Sequence, residues 1–233
     1  NLTLVPASVN PPIAPAASLA DANATAATKS LYNYMKSLYG NKVLSGQQDD
    51  IQYIINTTGK EPAVAGFDLM DYSPSRIEKS GYTPSSSEAN IAWATKGANR
   101  GMISLVWHWN PPTDLIDQPT KEWWRGFYTD ATTFDIQAVL ADKNGTRYAL
   151  LLRDIDAIAV QLQKYSNANI PVLFRPLHEA SGGWFWWGAK GPGPFKELWQ
   201  IMYNRLVNYH GLHNLIWVYT GTADAAWYPG NSY

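Results

Sequence analysis

The sequence predicts an α/β fold, a (β/α)8 TIM barrel of which about five of the eight βα units lie within its 233 residues. Apolar runs of strand length alternate with segments of helical periodicity, which favours parallel strands joined by right-handed crossovers. In a barrel, the ends of such strands form the active face. The first βα turn lacks the glycine-rich phosphate loop of nucleotide-binding doubly wound sheets. Polar residues follow the predicted strands at Gln47, Asp68, His108, Glu179 and Thr220.

The elements of the first half follow from local pattern. Residues 1–24 are predicted to form an extended arm, because four of the first 20 residues are proline and few are charged. The barrel domain occupies 25–233 and begins with a helix over 25–39. The apolar residues that share one face of this helix are Leu31, Tyr34, Met35 and Leu38. The next predicted elements are strand 43–48, helix 51–55, strand 63–69, helix 87–99 and strand 102–107.

A long loop follows the third strand and ends near residue 131. Connections of this length are usually functional or disordered, and the aromatic residues of this one favour function. They are Trp123, Trp124, Phe127 and Tyr128. The last predicted elements are helix 147–165, strand 171–177, helix 195–209 and strand 215–219.

Helix 147–165 has the clearest apolar face of the chain, formed by Leu151, Ile155, Ile158, Ala159 and Leu162. Asp154 and Asp156 are predicted to lie off that face, in solvent. Asp68 and Asp71, around the end of the second strand, fit either the active face or a purely structural hydrogen-bonding role.

Composition excludes several classes of protein. Only 16% of the residues are charged and the net charge is −1, so neither a coiled coil nor a highly charged disordered chain is expected. No basic face is indicated for nucleic acid or for a membrane surface, and no apolar run is long enough to span a bilayer. The chain contains no cysteine, which excludes disulfides and thiolate zinc sites. These properties fit a secreted, extracellular microbial enzyme.

The aromatic residues are mostly those with a polar edge, because 11 Trp and 14 Tyr stand beside only 6 Phe. Such rings are preferred where one side is dry and the other meets water or a polar ligand. The flat faces of sugars are ligands of that kind. A tryptophan-rich core would give the same composition, so both interpretations stay open.

The densest group of such residues follows the fourth strand, in Phe174-Arg175-Pro176-Leu177-His178-Glu179-Ala180-Ser181-Gly182-Gly183-Trp184-Phe185-Trp186-Trp187-Gly188. Glu179 is expected at the strand mouth, where surrounding indoles desolvate the carboxylate and favour its protonated form. A protonated carboxyl group can serve as a general acid. The alternative is a buried glutamate paired with Arg175 for structure alone.

This segment resembles the acid/base signature of glycoside hydrolase family 26, whose best-known members are endo-β-1,4-mannanases. Three shorter matches are Leu44-Ser45-Gly46-Gln47-Gln48, Trp107-His108-Trp109-Asn110 and Tyr228-Pro229-Gly230. The resemblance implies that 25–233 is the N-terminal part of a single catalytic barrel of the retaining glycosidase type. It implies endo-acting cleavage of β-1,4-mannosidic bonds in mannan, galactomannan or glucomannan, by two glutamates after strands 4 and 7. No cofactor and no metal ion are required.

Carried over by position, the resemblance makes Glu179 the general acid/base. It implies that His178 orients the site, that Trp184 lines the sugar subsites and that His108 contacts sugar near the cleaved bond. The softer matches to substrate-binding positions, for which core packing is an equal alternative, are Trp109, Phe185, Trp124 and Phe127.

The sequence departs from the family at the nucleophile. No glutamate follows Glu197, and the last predicted strand is the fifth. We therefore expect the nucleophile outside these residues, the chain to be a fragment, and the fragment to be inactive alone. The expected partner is β-mannan or a manno-oligosaccharide, bound by a monomer. A β-1,3-xylanase, a mixed-linkage β-glucanase and a non-hydrolytic polysaccharide-binding barrel remain alternatives.

Overall fold

The computed structural model describes residues 16–97 and 101–230. Its centre is a sheet of five strands in the order β1-β2-β3-β4-β5, in which every neighbouring pair is parallel. Helices connect the strands, so the predicted α/β fold with five sequential parallel strands is confirmed. The strands are β1 (Gly46–Gln48), β2 (Val64–Asp68), β3 (Met102–Val106), β4 (Val172–Arg175) and β5 (Leu215–Trp217).

Seven α-helices are found in the described residues, and none is both long and apolar enough to cross a membrane. They are α1 (Ala26–Leu38), α2 (Ile51–Thr58), α3 (Pro74–Ser80), α4 (Ser86–Thr95), α5 (Ile136–Ala141), α6 (Thr146–Asn167) and α7 (Pro192–Tyr203). A π-helical segment, Asn204–Tyr209, continues α7. The sequence did not predict α3 and α5, which are too short for a clear helical period. Local capping supports α5, because the Asp135 side chain accepts hydrogen bonds from the first helical N–H groups.

The core lies between the sheet and the helices that cover it. The predicted apolar face of α6 is buried as expected, and Tyr165 extends it. Four of the largest fully buried side chains are indoles, those of Trp107, Trp109, Trp186 and Trp187. Much of the tryptophan excess is therefore core, as the second interpretation of the composition held.

The side of the sheet formed by β1 is open in the described residues. The predicted strand 43–48 shortens to Gly46–Gln48, and Val43 is 97% exposed. Tyr34, predicted on the buried face of α1, is half exposed. The exposure of Val43 follows from the position of β1 as an edge strand, beyond which no described element lies.

Residues 1–15 of the predicted arm lie outside the described residues, so its extended form stays a prediction. The described end of the arm packs against the domain. Asp21 is buried, and its Oδ2 lies 2.8 Å from Nδ1 of His213. The Tyr32 hydroxyl donates a hydrogen bond to the carbonyl of Ala16 at 2.5 Å.

Candidate active site

The register of the sheet brings the polar strand ends together. Asp68, Val106 and Arg175 are consecutive partners across β2, β3 and β4. His108 follows two residues after Val106, and His178 three residues after Arg175. The carboxyl ends of the three strands therefore place Asp68, His108 and His178 at one edge of the sheet, as expected for parallel strands.

These three side chains form a continuous row of polar contacts, here called the Asp–His–His chain. Oδ2 of Asp68 lies 2.5 Å from Nδ1 of His108, and Nε2 of His108 lies 3.1 Å from Nε2 of His178. Oδ1 of Asp68 accepts hydrogen bonds from the backbone N–H groups of Met70 at 2.9 Å and His108 at 3.1 Å. Both ring nitrogens of His108 thus have partners within the Asp–His–His chain.

His178 is buried, and its surroundings keep it neutral. Burial lowers the pKa of this imidazole to about 4, and repulsion from His108 and Arg175 acts in the same direction, while Asp68 opposes them. The backbone carbonyl of His178 accepts a hydrogen bond from Nε1 of Trp187 at 2.9 Å. At neutral pH the ring therefore carries a single N–H.

Glu179 lies at the mouth of β4 in a left-handed backbone conformation, with φ at 56°. Its backbone N–H donates to the carbonyl of Thr220 at 2.8 Å, which ties the turn to the segment after β5. The hydroxyl of Thr220 in turn accepts from Nε of Arg175 at 3.3 Å. The left-handed conformation and the hydrogen bond to Thr220 thus fix the backbone of Glu179.

The carboxylate of Glu179 differs from expectation in one respect. It is exposed in the described part of the chain, so the predicted desolvation by indoles is wrong there. It forms no ion pair with Arg175 among the described residues, so the purely structural alternative is not found either. Instead, its Oε2 accepts a hydrogen bond from Nε1 of Trp184 at 3.2 Å.

Trp184 is 49% exposed beside Glu179 and offers an open indole face. The ring lies so close to Gly182 that a Cβ there would stand 2.1 Å from the indole. The loop backbone is fixed from the other side, because the Thr129 N–H donates to the carbonyl of Trp184 at 2.8 Å and its hydroxyl to that of Gly183 at 2.9 Å. The exposed indole of Trp184 is therefore attached to a backbone that two hydrogen bonds from Thr129 hold in place.

Two of the four weaker matches are buried, which favours core packing, the alternative that the sequence left open for them. Trp109 is 0% exposed, and its ring stacks on Trp107 with centroids 4.1 Å apart. Phe185 is 3% exposed and packs beneath the histidines, 5.4 Å from the ring of His108 and 5.2 Å from that of His178. Phe185 therefore packs against both histidine rings, whereas Trp109 belongs to the core beside Trp107.

For Phe127 and Trp124 the sugar contact stays a prediction. Phe127 is partly buried, with its ring 4.9 Å from His108, so it lies at the rim of the histidine pair. Trp124 is 50% exposed, and its carbonyl accepts a hydrogen bond from Arg76 at 2.7 Å. No described contact joins Trp124 to the Asp–His–His chain, so it belongs to a separate part of the same face.

Comparison with known proteins agrees with this geometry. The model of glycosyl hydrolase family 26 matches residues 20–233. The chain belongs to glycosyl hydrolase family 26. It is 51% identical over 233 residues to a mannan endo-1,4-β-mannosidase of Thermothelomyces thermophilus, with 99% of this chain and 47% of the relative covered.

Solved structures show the same family 26 relationship. A Podospora anserina GH26-CBM35 β-(1,4)-mannanase superposes with a TM-score of 0.90 at 52% identity, covering 96% of this chain and 50% of that one. A β-mannanase from a symbiotic protist of the termite Reticulitermes speratus, complexed with gluco-manno-oligosaccharide, gives 0.77 at 31% identity, covering 93% and 69%. The chain thus spans about half the length of the T. thermophilus and P. anserina proteins.

The structure of this family 26 chain also corrects the prediction for Asp154, which is fully buried. Its Oδ2 accepts from Nε1 of Trp109 at 2.9 Å, and its Oδ1 accepts from Arg153 at 2.8 Å and 3.1 Å. Burial raises the pKa of Asp154 to about 6, although the hydrogen bonds from Trp109 and Arg153 lower it. Asp154 thus anchors the residue that follows His108.

We expect Asp154 to make stability depend on pH. Its pKa is about 6 when folded and 3.8 as the ordinary value, so its contribution is complete below 3.8 and is lost as pH rises through 6. Relative to Asp154→Asn, the wild-type protein should therefore gain up to about 3 kcal/mol of unfolding free energy between about pH 7 and pH 4. Urea unfolding of both proteins across this range measures the difference.

Asp156, on the same helix, supplies the control. Burial raises its pKa, but hydrogen bonds from Arg205 and His210 outweigh burial and hold the pKa below its ordinary value. Asp156→Asn should therefore show the opposite trend, with wild type losing its advantage as the pH falls. Parallel pH curves for wild type and Asp154→Asn would contradict the assignment to Asp154.

Proposed function

We propose that the protein is an endo-acting glycoside hydrolase that cleaves β-1,4-mannosidic bonds with retention of configuration. The observation that supports this most is the position of Glu179, exposed at the carboxyl end of β4 and hydrogen-bonded to the exposed indole of Trp184. A carboxyl group beside an open aromatic face meets the two needs of glycosidic cleavage, which are a proton donor and a platform for the sugar ring.

In this proposal Glu179 protonates the oxygen of the leaving sugar and later deprotonates the attacking water. A retaining enzyme also needs a nucleophilic carboxylate about 5–5.5 Å from the acid. The family resemblance implies that this second glutamate follows strand 7, whereas the described sheet ends at β5. We propose that the nucleophile lies outside these 233 residues, so the activity belongs to the whole protein and this chain alone is inactive.

The substrate proposal is β-mannan or a manno-oligosaccharide, bound along the open face of the strand ends. Trp184 would stack against a sugar next to the cleaved bond, with His108 and Phe127 at the adjacent rim. Trp124 would contact a more distant sugar of the same polymer. The names of the T. thermophilus and P. anserina relatives support mannan, and the gluco-manno-oligosaccharide complex of the termite symbiont's enzyme supports a mixed polymer as well.

We further propose that the protein acts outside the cell as a monomer. Polymeric mannan does not cross membranes, so its hydrolysis requires an enzyme on the same side as the polymer. An open cleft of the proposed kind is complete within one polypeptide. Light scattering of the purified protein, and its detection in the culture medium of its source, test the two statements separately.

The function is tested by incubating the full-length protein with mannan, glucomannan, β-1,3-xylan and mixed-linkage β-glucan. We expect reducing ends from mannan and glucomannan, in internal fragments, and the β-anomer as first product by proton NMR. Preference for β-1,3-xylan or β-glucan would assign another specificity in the family. Binding of mannan without any reducing ends would make the protein a polysaccharide-binding barrel, and an α-anomer as first product would exclude retention.

A further inference from the structure

The Asp–His–His chain determines which ring nitrogens carry protons. Oδ1 of Asp68 is occupied by the two backbone N–H groups of Met70 and His108, which leaves Oδ2 facing Nδ1 of His108 at 2.5 Å. An ionised carboxylate can only accept hydrogen bonds. Nδ1 of His108 must therefore carry the hydrogen in this contact.

The second contact allows two arrangements. Nε2 of His108 and Nε2 of His178 are 3.1 Å apart, so one of them donates and the other accepts. If Nε2 of His108 is a lone pair, His178 is the donor, and the single N–H of His178 is then at Nε2 with a lone pair at Nδ1. If Nε2 of His108 carries hydrogen instead, His178 is the acceptor, and its single N–H is then at Nδ1.

The burial of His178 supports the arrangement in which His178 donates to His108. Its Nδ1 is buried without a hydrogen-bond partner in the described residues. If His178 accepted from His108, Nδ1 would be a buried N–H without an acceptor. If His178 donates, Nδ1 is a lone pair without a donor, which is the less costly of the two because orphaned buried N–H groups are the rarer kind. Burial lowers the pKa of His178 to about 4, so a second proton on this ring is disfavoured as well.

We infer that Asp68 is a positioning residue that sets the tautomers of two histidines in series, His108 with hydrogen on Nδ1 and His178 with hydrogen on Nε2. Its catalytic consequence rests on the proposed function: the residue before the general acid/base keeps its only N–H in the contact with His108 and a buried lone pair at Nδ1. Sequence reasoning left Asp68 between a structural and a functional role. The register of β2 with β3 is the signal that connects Asp68 to the histidines, because it pairs Asp68 with Val106, two residues before His108.

Asp68→Asn should reverse both tautomers. The two backbone N–H donors at Oδ1 require an acceptor, so the amide oxygen takes that place and the amide nitrogen faces His108. His108 must then accept at Nδ1, carry its hydrogen on Nε2 and donate to His178. The hydrogen of His178 moves to Nδ1 in consequence.

Long-range proton–nitrogen NMR of the 15N-labelled full-length protein near neutral pH reads these states directly, with assignments from His108→Gln and His178→Gln variants. In the wild type we expect one protonated nitrogen in each ring, Nδ1 of His108 and Nε2 of His178. Hydrogen on both nitrogens of His108, or on Nδ1 of His178, would overturn the inference. If Asp68→Asn fails to fold, the wild-type spectrum still decides.

Asp21→Asn is the matched control, because Asp21 repeats the same geometry away from the site. Its Oδ1 accepts from the N–H of Asn23 and its Oδ2 faces Nδ1 of His213, both at 2.8 Å. This variant should change the tautomer of His213 alone and keep wild-type turnover. Asp68→Asn should lower kcat about tenfold or more with KM nearly unchanged.

The two claims fail separately. Reversed tautomers with unchanged kcat would show that Asp68 sets the histidines but has no part in turnover, which overturns its role as a positioning residue for the reaction. A wild-type protein with the expected tautomers and no hydrolysis would refute the proposed function and leave the tautomer assignment standing.

Discussion

Glu179→Gln is expected to lower kcat on mannan by about 1,000-fold or more, because an amide cannot give the leaving oxygen its proton. The carboxylate is exposed and its described side-chain contact is the Trp184 indole, so the unfolding free energy should change by less than about 0.5 kcal/mol. Initial rates on mannan and urea unfolding of the full-length protein measure the two quantities.

Two comparisons make this result specific. Glu197→Gln removes a partly exposed acid of α7, which pairs with Lys143 at 2.8 Å, and it should keep wild-type turnover. An aryl mannoside with a good leaving group needs little protonation in the first step, so Glu179→Gln should still release the aryl group in a burst, while steady-state turnover stays slow because the second step lacks its base. Near-wild-type turnover of mannan by Glu179→Gln would remove Glu179 from the reaction.

Gly188→Ala is expected to destabilise the fold by about 3 kcal/mol, the upper range for an overpacked site. A Cβ at Gly188 would lie 1.9 Å from the carbonyl oxygen of Ala180 and 2.6 Å from its carbonyl carbon. These are backbone atoms of the turn that follows Glu179, so no side-chain rotation relieves the clash. Relief requires the turn to shift, and kcat should fall together with stability.

Gly193→Ala is the control for this substitution. Gly193 lies in the first turn of α7, and a Cβ there would meet no atom within 4 Å other than those of its two chain neighbours. Alanine has a higher helix propensity than glycine, but the following Pro194 disfavours helical backbone at a residue with a Cβ, so the variant should stay within about 1 kcal/mol of wild type. Urea midpoints of the three proteins measure the order. Equal stability of Gly188→Ala and wild type would show that the turn is loose.

The fold and the position of the acid were predictable because their signals are local. The apolar spacing of α6 and the short apolar runs of the strands need no information about distant residues. The segment around Glu179 has its acidic, histidine and aromatic residues close together in sequence, so the sequence alone identified the strand end at which Glu179 lies. Its exposure was not, because exposure depends on every element that packs around the strand end.

Asp154 shows where residue type outweighed spacing. It lies three residues after Leu151 and four before Ile158, which places it on the apolar face of α6 together with Ile155. The charge of Asp154 suggested exposure to solvent, whereas its spacing from the apolar residues already indicated burial. Trp109 is the converse case, because no local pattern separates an indole that stacks on sugar from one that donates to a buried aspartate.

The loop after β4 contains two consecutive tryptophans whose indole N–H groups donate to different backbone carbonyls. Nε1 of Trp186 donates to the carbonyl of Trp109 at 2.6 Å, and Nε1 of Trp187 donates to that of His178 at 2.9 Å. The first link joins the loops after β3 and β4, and the second closes the loop after β4 on itself. Under the proposed function, substitutions at the exposed indoles of Trp124 and Trp184 are expected to change which polymers bind, while these buried links keep the strand ends with the Asp–His–His chain in place. The architecture thus separates a variable binding rim from a fixed interior.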